Sequence, residues 1–449
     1  MKSMIRLRWS DPESDDRWAP VDWRCGAAIT ATLFLNFSFC VGYGLAGCCS
    51  VPLLPHVVSL GAGVALITAL FFVGPAMAVQ AARRRVFGVI ENSFGSVPTF
   101  AFRLCYIVFA VSWISNLVAV PTSWALSRAL GRESSPAEMS FIAAGLLAFL
   151  FFTGSQNVRT SAKLALFSSK LCLALFVAAF IRVHDGWTAV PAGLPAASPT
   201  PVIEGLWYDL SRVAFFVAPL ALMAADFAFQ QQRKRVALTG LMGTALPLFG
   251  ALFFSGVIGV ATGASRLYRP SLNPTVAMAL FSDVAASAMP GRMLVAAVTT
   301  FGAVRFAVRA LLDSVPVRPL RMPRWLLLGC FIVVIAWLSL RPHDAYAATI
   351  GKASETAATC LIIVGAVLTA DFLSGWGRTE RRRRIDWVGV AALVAGLATP
   401  YCLPDHYVWG VDHYWLLRPM PSYVIGFVVC VCGRAVRMTL VPNGLARDA

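Results

Sequence analysis

The chain has 449 residues, 58% of them hydrophobic and 13% charged, with a net charge of +16. A soluble domain carries roughly 25% charged residues, so the composition excludes one, and the apolar content runs along the whole length. The positive balance does not call for nucleic acid, because basic residues in short loops orient membrane helices and meet anionic headgroups.

Met1 to Arg24 is the longest polar stretch. It has no apolar core followed by a small-residue cleavage site, so 1–24 reads as a tail and not as a signal peptide. A bilayer core needs ~20 apolar helical residues per crossing. Twelve candidate spans follow, over 25–50, 57–81, 104–128, 138–154, 164–182, 211–230, 237–262, 293–310, 325–340, 347–373, 387–402 and 419–437. They predict an all-α integral membrane protein of about 12 transmembrane helices. With the N-terminus inside and each basic residue assigned to the nearer side, 27 of the 38 Lys and Arg fall inside and 10 outside; Arg305 sits within a span. Clusters include Arg83-Arg84-Arg85, Arg233-Lys234-Arg235 and Arg381-Arg382-Arg383-Arg384. This positive-inside bias puts both termini, the tail over 439–449 included, in the cytoplasm of an inner-membrane protein.

Span one contains Phe37-Ser38-Phe39-Cys40-Val41-Gly42-Tyr43-Gly44, and span six contains Pro219. Dense mid-span glycine frees the backbone from helical geometry. Proline removes a donor and clashes with the carbonyl four residues back. Broken helices in lipid are tolerated against protein or a water-filled cavity. Interruptions near Val41–Gly44 and Ala218–Leu220, five spans apart, predict two inverted five-helix repeats over 25–384 with a midplane site. The alternative is the ordinary Gly and Pro of membrane helices. A final helix pair occupies 385–438. The outer loops over 182–210 and 265–291 are irregular, the second holding a short apolar run from Val276 to Phe281. The inner loop over 311–324 holds Pro316, Pro319 and Pro323. None of the eleven cysteines has zinc spacing, and no disulfide framework is inferred.

Four segments resemble the nucleobase–cation symporter family, especially its cytosine-permease-like branch of purine and cytosine permease relatives. Ser93-Phe94-Gly95 is similar to the family's lead-in to helix three, and Ser112-Trp113 to its aromatic wall for the base. Ala225-Asp226-Phe227 resembles the close of helix six. Thr369-Ala370-Asp371-Phe372 through Arg381, then Ile385-Asp386-Trp387-Val388-Gly389 and Leu403-Pro404, resemble its carboxyl-terminal pattern. The resemblance implies a LeuT-like inverted repeat of 5+5 helices plus 2, and transport of a nucleobase or related heterocycle. The chain departs from the family in helix eight, where Thr299-Thr300-Phe301-Gly302-Ala303 keeps only the threonines of a Thr-Thr-Asn-Asp-Asn pattern. Ala228-Phe229-Gln230 stand where an arginine usually follows, and the tandem prolines before the later Ala370-Asp371-Phe372 are absent.

A nucleobase needs aromatic faces and a few polar partners for its edge. Trp113 and Asn116 share one face of helix three. Phe37, Ser38 and Tyr43 lie at the helix-one interruption, and Phe216 and Pro219 at the helix-six interruption. Each aromatic has packing as its alternative. Thr299 and Thr300 are the candidate cation ligands, beside backbone carbonyls of helix one, and Na+ or H+ is the candidate coupling ion. The alternative is hydroxyls bonded to their own helix. Arg305, with Arg309 one turn on, either replaces the ion, contacts an anionic substrate, or snorkels to the surface. Asp226 and Asp371 read as solvated boundary carboxylates, with ion pairing in a gate as the alternative. Asp405-His406-Tyr407 and Asp412-His413-Tyr414 read as part of an interfacial aromatic belt, with a metal as the alternative. No catalytic residue, phosphate loop or resident cofactor is read from the sequence. The expected function is a permease for a small-molecule substrate, working in the lipid bilayer without nucleic acid. An amino-acid or small-solute carrier on the same fold, or a non-transporting sensor or scaffold, is the alternative. Oligomeric state is left open.

Overall fold

The computed structural model describes residues 24, 27, 30–31, 53–110, 158–182, 184, 218–228, 233–261, 329, 333, 343–376, 384–402 and 419–440. Their regular structure is helical. In chain order the helices are α1 Leu53–Ile67, α2 Gly74–Ala82, α3 Val86–Phe94, α4 Ser96–Ala110, α5 Val158–Arg182, α6 Arg233–Gly240, α7 Leu246–Ala261, α8 His343–Leu373, α9 Trp387–Cys402 and α10 Pro419–Leu440. Among the described residues, four runs are long and apolar enough to cross a membrane: Leu60–Ala82, Lys234–Phe254, Thr356–Leu373 and Met420–Thr439. Each falls on an expected span.

Two of these runs leave α geometry in the same way. Between α1 and α2 the chain makes a π-helical turn over Thr68–Val73, and between α6 and α7 another over Leu241–Ala245. The sequence supplies the cause. Pro75 and Pro247 each stand two residues beyond the turn. A proline ring displaces the carbonyl four residues back, here that of Phe71 or Gly243, and the ladder widens by one residue. The Gly74 N–H then donates to the Ala69 carbonyl, and the Leu246 N–H to the Leu241 carbonyl, five residues back in both cases.

Widening strands one carbonyl per turn. The Leu70 carbonyl faces Gly74, whose N–H is used, and Pro75, which has none. It is recovered from other helices: Tyr423 donates its hydroxyl to it at 3.2 Å from α10, and Thr369 approaches at 3.5 Å from α8. The Tyr423 ring packs edge-on against Phe71 at 4.9 Å.

α8, α9 and α10 pack through small residues, as membrane helices do when close backbone approach supplies the contact energy. Ile363 is the knob. A Cβ added at Gly396 or at Gly426 would lie 2.9 Å from an Ile363 side-chain carbon. The apolar core runs continuously from α1 through α10, and outward residues such as Val58, Phe167, Val424 and Val428 are exposed apolar side chains suited to lipid.

α3 is an element that the hydropathy pattern does not show. Val86, Phe87, Val89, Ile90, Ser93 and Phe94 are buried, a spacing that lays one face of a short helix on the bundle. The third span accordingly begins at Ser96 and not at 104. Between the two helices Gly95 has φ 93° and ψ 170°, a conformation that only glycine adopts without strain. A Cβ there would also lie 2.8 Å from the Ile385 Cα.

The expected interruption of helix six lies near Ala218–Leu220, and the residues before Ala218 are outside the described ones. Residues 218–224 are helical, and Pro219 is buried within them. A departure from α geometry comes at Ala225–Ala228, a 3-10 turn. The helix-one interruption over Val41–Gly44 lies outside the described residues.

Candidate functional site

The described residues gather one polar assembly inside the bundle, at its arginine-rich end. Its centre is Arg434, on α10, fully buried. The Arg434 guanidinium donates from Nε to Asp371 Oδ1 at 2.8 Å and from Nη2 to Asp371 Oδ2 at 3.2 Å. Its Nη1 donates to Asp386 Oδ1 at 2.8 Å, and its Nη2 also reaches the Ser93 carbonyl at 3.0 Å. The fork of Nε and Nη2 on one carboxylate is the strong, directional form of the ion pair. Trp376 covers the guanidinium, with its ring centroid 4.5 Å from the Arg434 carbon.

Each partner is placed by local chemistry. Asp371 stands in the last turn of α8, where the helix dipole disfavours an anion; Arg434 compensates it. α8 then ends in a turn in which the Ser374 N–H donates to the Ala370 carbonyl and Gly375 takes φ 72°. Asp386 is the N-cap of α9. Its Oδ1 accepts from the Val388 N–H at 3.1 Å and the Gly389 N–H at 3.3 Å. Its own N–H donates to the Phe94 carbonyl at 2.7 Å, and Arg437 Nη1 adds a bond to its Oδ2 at 3.2 Å. Gly389 lets α9 come against the backbone of Ser93, since a Cβ there would strike the Ser93 carbonyl.

The far end of α3 is held as well. Arg85, the residue before α3, makes no side-chain cap. Asp226, from the 3-10 turn after helix six, supplies one instead, accepting the Val86 N–H on Oδ1 at 2.7 Å. α3 is therefore capped at one end by helix six and clasped at the other by α8, α9 and α10.

These contacts correct two expectations. Asp371 is not a solvated boundary carboxylate but a buried member of an ion pair, 1% exposed. Asp226 is half-buried and caps a helix 140 residues away in sequence. The positive-inside pattern places Arg434 among the inner basic residues and assigns it no partner. The signal was present: Arg434 and Arg437 share a helix face three residues apart, and an intramembrane arginine requires a partner. Asp371 and Asp386, both within the family-like segments, were the available carboxylates.

Of the expected substrate and cation residues, only Pro219 lies among the described residues. Phe37, Ser38, Tyr43, Trp113, Asn116, Phe216 and Arg305 lie outside them, as do Thr299, Thr300, Arg309 and the two Asp-His pairs. Among the described residues no His, Cys, Asp and Glu side chains group in a set of three or more that could hold a metal ion.

The fold has close parallels among solved structures. The chain superimposes on Mhp1, a nucleobase-cation-symport-1 family transporter, in a closed conformation with bromovinylhydantoin bound: TM-score 0.65, 15% identity, covering 96% of this chain and 97% of that one. A Na+-coupled sialic acid symporter in a substrate-bound outward-open state gives a TM-score of 0.56 at 12% identity, with 93% of this chain and 92% of that one covered. MhsT in complex with L-phenylalanine gives 0.58 at 16% identity, with 92% and 99% covered. No family model and no curated protein sequence matches the chain. The protein is thus an integral membrane protein with the LeuT-like, all-α fold expected from its sequence.

Proposed function

We propose that this chain is a secondary-active permease that carries a nucleobase or a related small, flat heterocycle by alternating access. The arginine-rich end faces the cytoplasm, and the substrate lies mid-membrane between helices one, three, six and eight. One observation carries the reading. Two of the four segments that resemble the nucleobase–cation symporters, the one at Ser93 and the carboxyl-terminal pattern with Asp371 and Asp386, meet on the single side chain of Arg434. A third, around Asp226, caps the same short helix. Three of the four matches are therefore one packed unit, in a chain whose fold is shared with a member of that family.

Trp113 is the stacking face for the base in this reading, and Arg305 is a fixed positive charge beside Thr299 and Thr300. Two unit charges ~4 Å apart repel by roughly 4 kcal/mol at an effective dielectric of 20, about three orders of magnitude in sodium affinity. Binding is then independent of sodium. Thermal-shift titration of purified protein against nucleobases, in sodium and in choline buffer, tests both parts, because a ligand of the folded state raises its transition. A base raises the transition equally in both buffers. A tenfold affinity gain in sodium overturns the fixed-charge role, and no response to any base overturns the substrate class. Trp113→Ala weakens binding by ~1–3 kcal/mol; unchanged affinity returns Trp113 to packing. A second reading, a sensor that binds without transporting, is favoured by Phe301-Gly302-Ala303 in place of the polar triplet. It is separated by binding without uptake in proteoliposomes.

A further inference from the structure

α4 and α8 rise from the same end of the bundle. At the start of α4 the Val97 N–H donates to the Arg384 carbonyl at 3.2 Å, and just ahead of it the Phe94 carbonyl accepts the Asp386 N–H at 2.7 Å. Asp371, in the last turn of α8, is held by Arg434. Deeper in the bundle the two helices meet again. The thiols of Cys105, on α4, and Cys360, on α8, are hydrogen-bonded to each other. Backbone geometry puts both at one depth. Cys105 is nine residues beyond Ser96 and Cys360 eleven before Asp371, ~14 Å and ~16 Å of helix at ~1.5 Å per residue.

Neither cysteine is in a disulfide, and both are half-buried. The burial of α8 changes at this point. Leu361 through Asp371 are buried at every position, whereas Thr359 is half-buried and Thr356 exposed. Thr356 and Cys360 share one helix face. The pair therefore sits where the packed interior of α8 ends, within reach of a small, membrane-permeant reagent. Cys430, by contrast, is fully buried and donates its S–H to Asp371 Oδ1 at 3.5 Å.

We propose that Cys105 and Cys360 are a redox-sensitive pair, which a peroxide converts to a disulfide joining α4 to α8 partway along their length. One sulfur attacks a peroxide oxygen; the O–O bond breaks, and the thiol proton leaves with the other oxygen as water. The second sulfur attacks the resulting sulfenic sulfur; the S–O bond breaks, and its proton leaves with the hydroxyl as a second water. Two thiols give up two electrons, and one peroxide is reduced to two waters. A dithiol reverses the bond by exchange. Held at the arginine-rich end and again at this bond, the two helices keep one spacing; with free thiols they can splay. The consequence for uptake rests on the transporter reading, but the bond and its effect on the helices do not.

The test uses the full chain in nanodiscs, untreated, after hydrogen peroxide, and after dithiothreitol. Free thiols are blocked with N-ethylmaleimide, and peptides are mapped by mass spectrometry without reduction. Peroxide yields a peptide pair joined through Cys105 and Cys360 and lowers maleimide labelling of both at least tenfold; dithiothreitol restores the labelling. Genetically encoded spin labels that need no cysteine, at exposed Leu104 and Thr356, read the spacing of the helices. Their distance distribution narrows at least twofold on oxidation in the wild type and does not change in Cys105→Ser. Maleimide labelling of both cysteines after peroxide, or their separate oxidation to sulfinic acids, overturns the pair. A joined peptide with an unchanged distance distribution overturns the clamp. Should Cys105→Ser not fold, the wild-type peptide map and its reversal by dithiothreitol still decide. A protein that does not bind cytosine leaves every one of these readings intact, so failure of the substrate reading and failure of the thiol pair are distinguishable.

Discussion

The arginine-rich end and the middle of the bundle solve the same problem with different chemistry. Both must satisfy polar groups away from water. At the end, a buried guanidinium meets two carboxylates and a carbonyl, and every contact is charge-assisted. In the middle, a stranded carbonyl accepts from one neutral hydroxyl while a second leans toward it, and two buried threonine hydroxyls have no hydrogen-bond partner among the described residues. The first arrangement is strong and intolerant of partial loss. The second is weak and adjustable. The end is therefore the fixed platform of the molecule, and the middle is where shape change costs least.

The comparison breaks most directly at Arg434. Removing one member of a buried ion network leaves the others charged and unpaired, at a cost of about 3–5 kcal/mol. Arg434→Ala should lower stability by that amount, read as the shift of the unfolding transition in detergent. A loss below ~1 kcal/mol would mean that water reaches Asp371 and Asp386, and that the end is no platform. The charges must go together: Arg434→Met with Asp371→Leu should recover part of the loss, because Asp386 keeps Arg437 and its capping role.

Gly95 tests the same end through the backbone. Its φ of 93° with ψ near 170° suits glycine alone, and a Cβ would press on the Ile385 backbone. Gly95→Ala should cost about 1–3 kcal/mol from that conformation, plus whatever separation of α3 from α9 the clash imposes. The check is the same unfolding transition. A neutral result would show that α3 can shift away from α9, which the bond from the Asp386 N–H to the Phe94 carbonyl argues against.

The two regions also differ in how far they can be read from sequence. Membrane helices announce themselves, because length and apolarity are demanded by the bilayer: the expected span 387–402 coincides with α9, and 347–373 ends where α8 ends. The π turns were within reach, since Gly74-Pro75 and Leu246-Pro247 stand at matching places in spans two and seven. Gly42, Gly44 and Pro219 in spans one and six are the denser local signal. The Arg434 network was not legible as a network. Its carboxylates are 48 and 63 residues from it, and Ser93 is 341 residues away. Nothing in local periodicity joins such positions. Asp371 reads as a boundary carboxylate because its position along the span is at the end, while its burial depends on α10 folding back over it. The same holds for Asp226, whose cap belongs to a helix at the other side of the sequence. Motif resemblance did point to these residues, without giving their roles.

The smallest effect belongs to the middle. Tyr423 makes one neutral hydrogen bond to the Leu70 carbonyl, and Thr369 remains at 3.5 Å when it is lost. Such a bond contributes about 0.5–1.5 kcal/mol net. Tyr423→Phe keeps the ring and its edge contact with Phe71, so it removes little besides the hydroxyl. The expected loss is about 1 kcal/mol. Thr369→Val alone should cost less, because the Thr369 hydroxyl already bonds its own helix at Gly365 at 2.9 Å and only leans toward Leu70. The pair together should cost more than the sum of the two, since either hydroxyl can serve the carbonyl until both are gone. That excess, measured by a double-mutant cycle on the unfolding transition, is the signature of a shared acceptor. Strict additivity would mean that the Leu70 carbonyl is served by Tyr423 alone. A loss as large as that at Arg434 would erase the distinction between a charged, rigid end and a neutral, yielding middle.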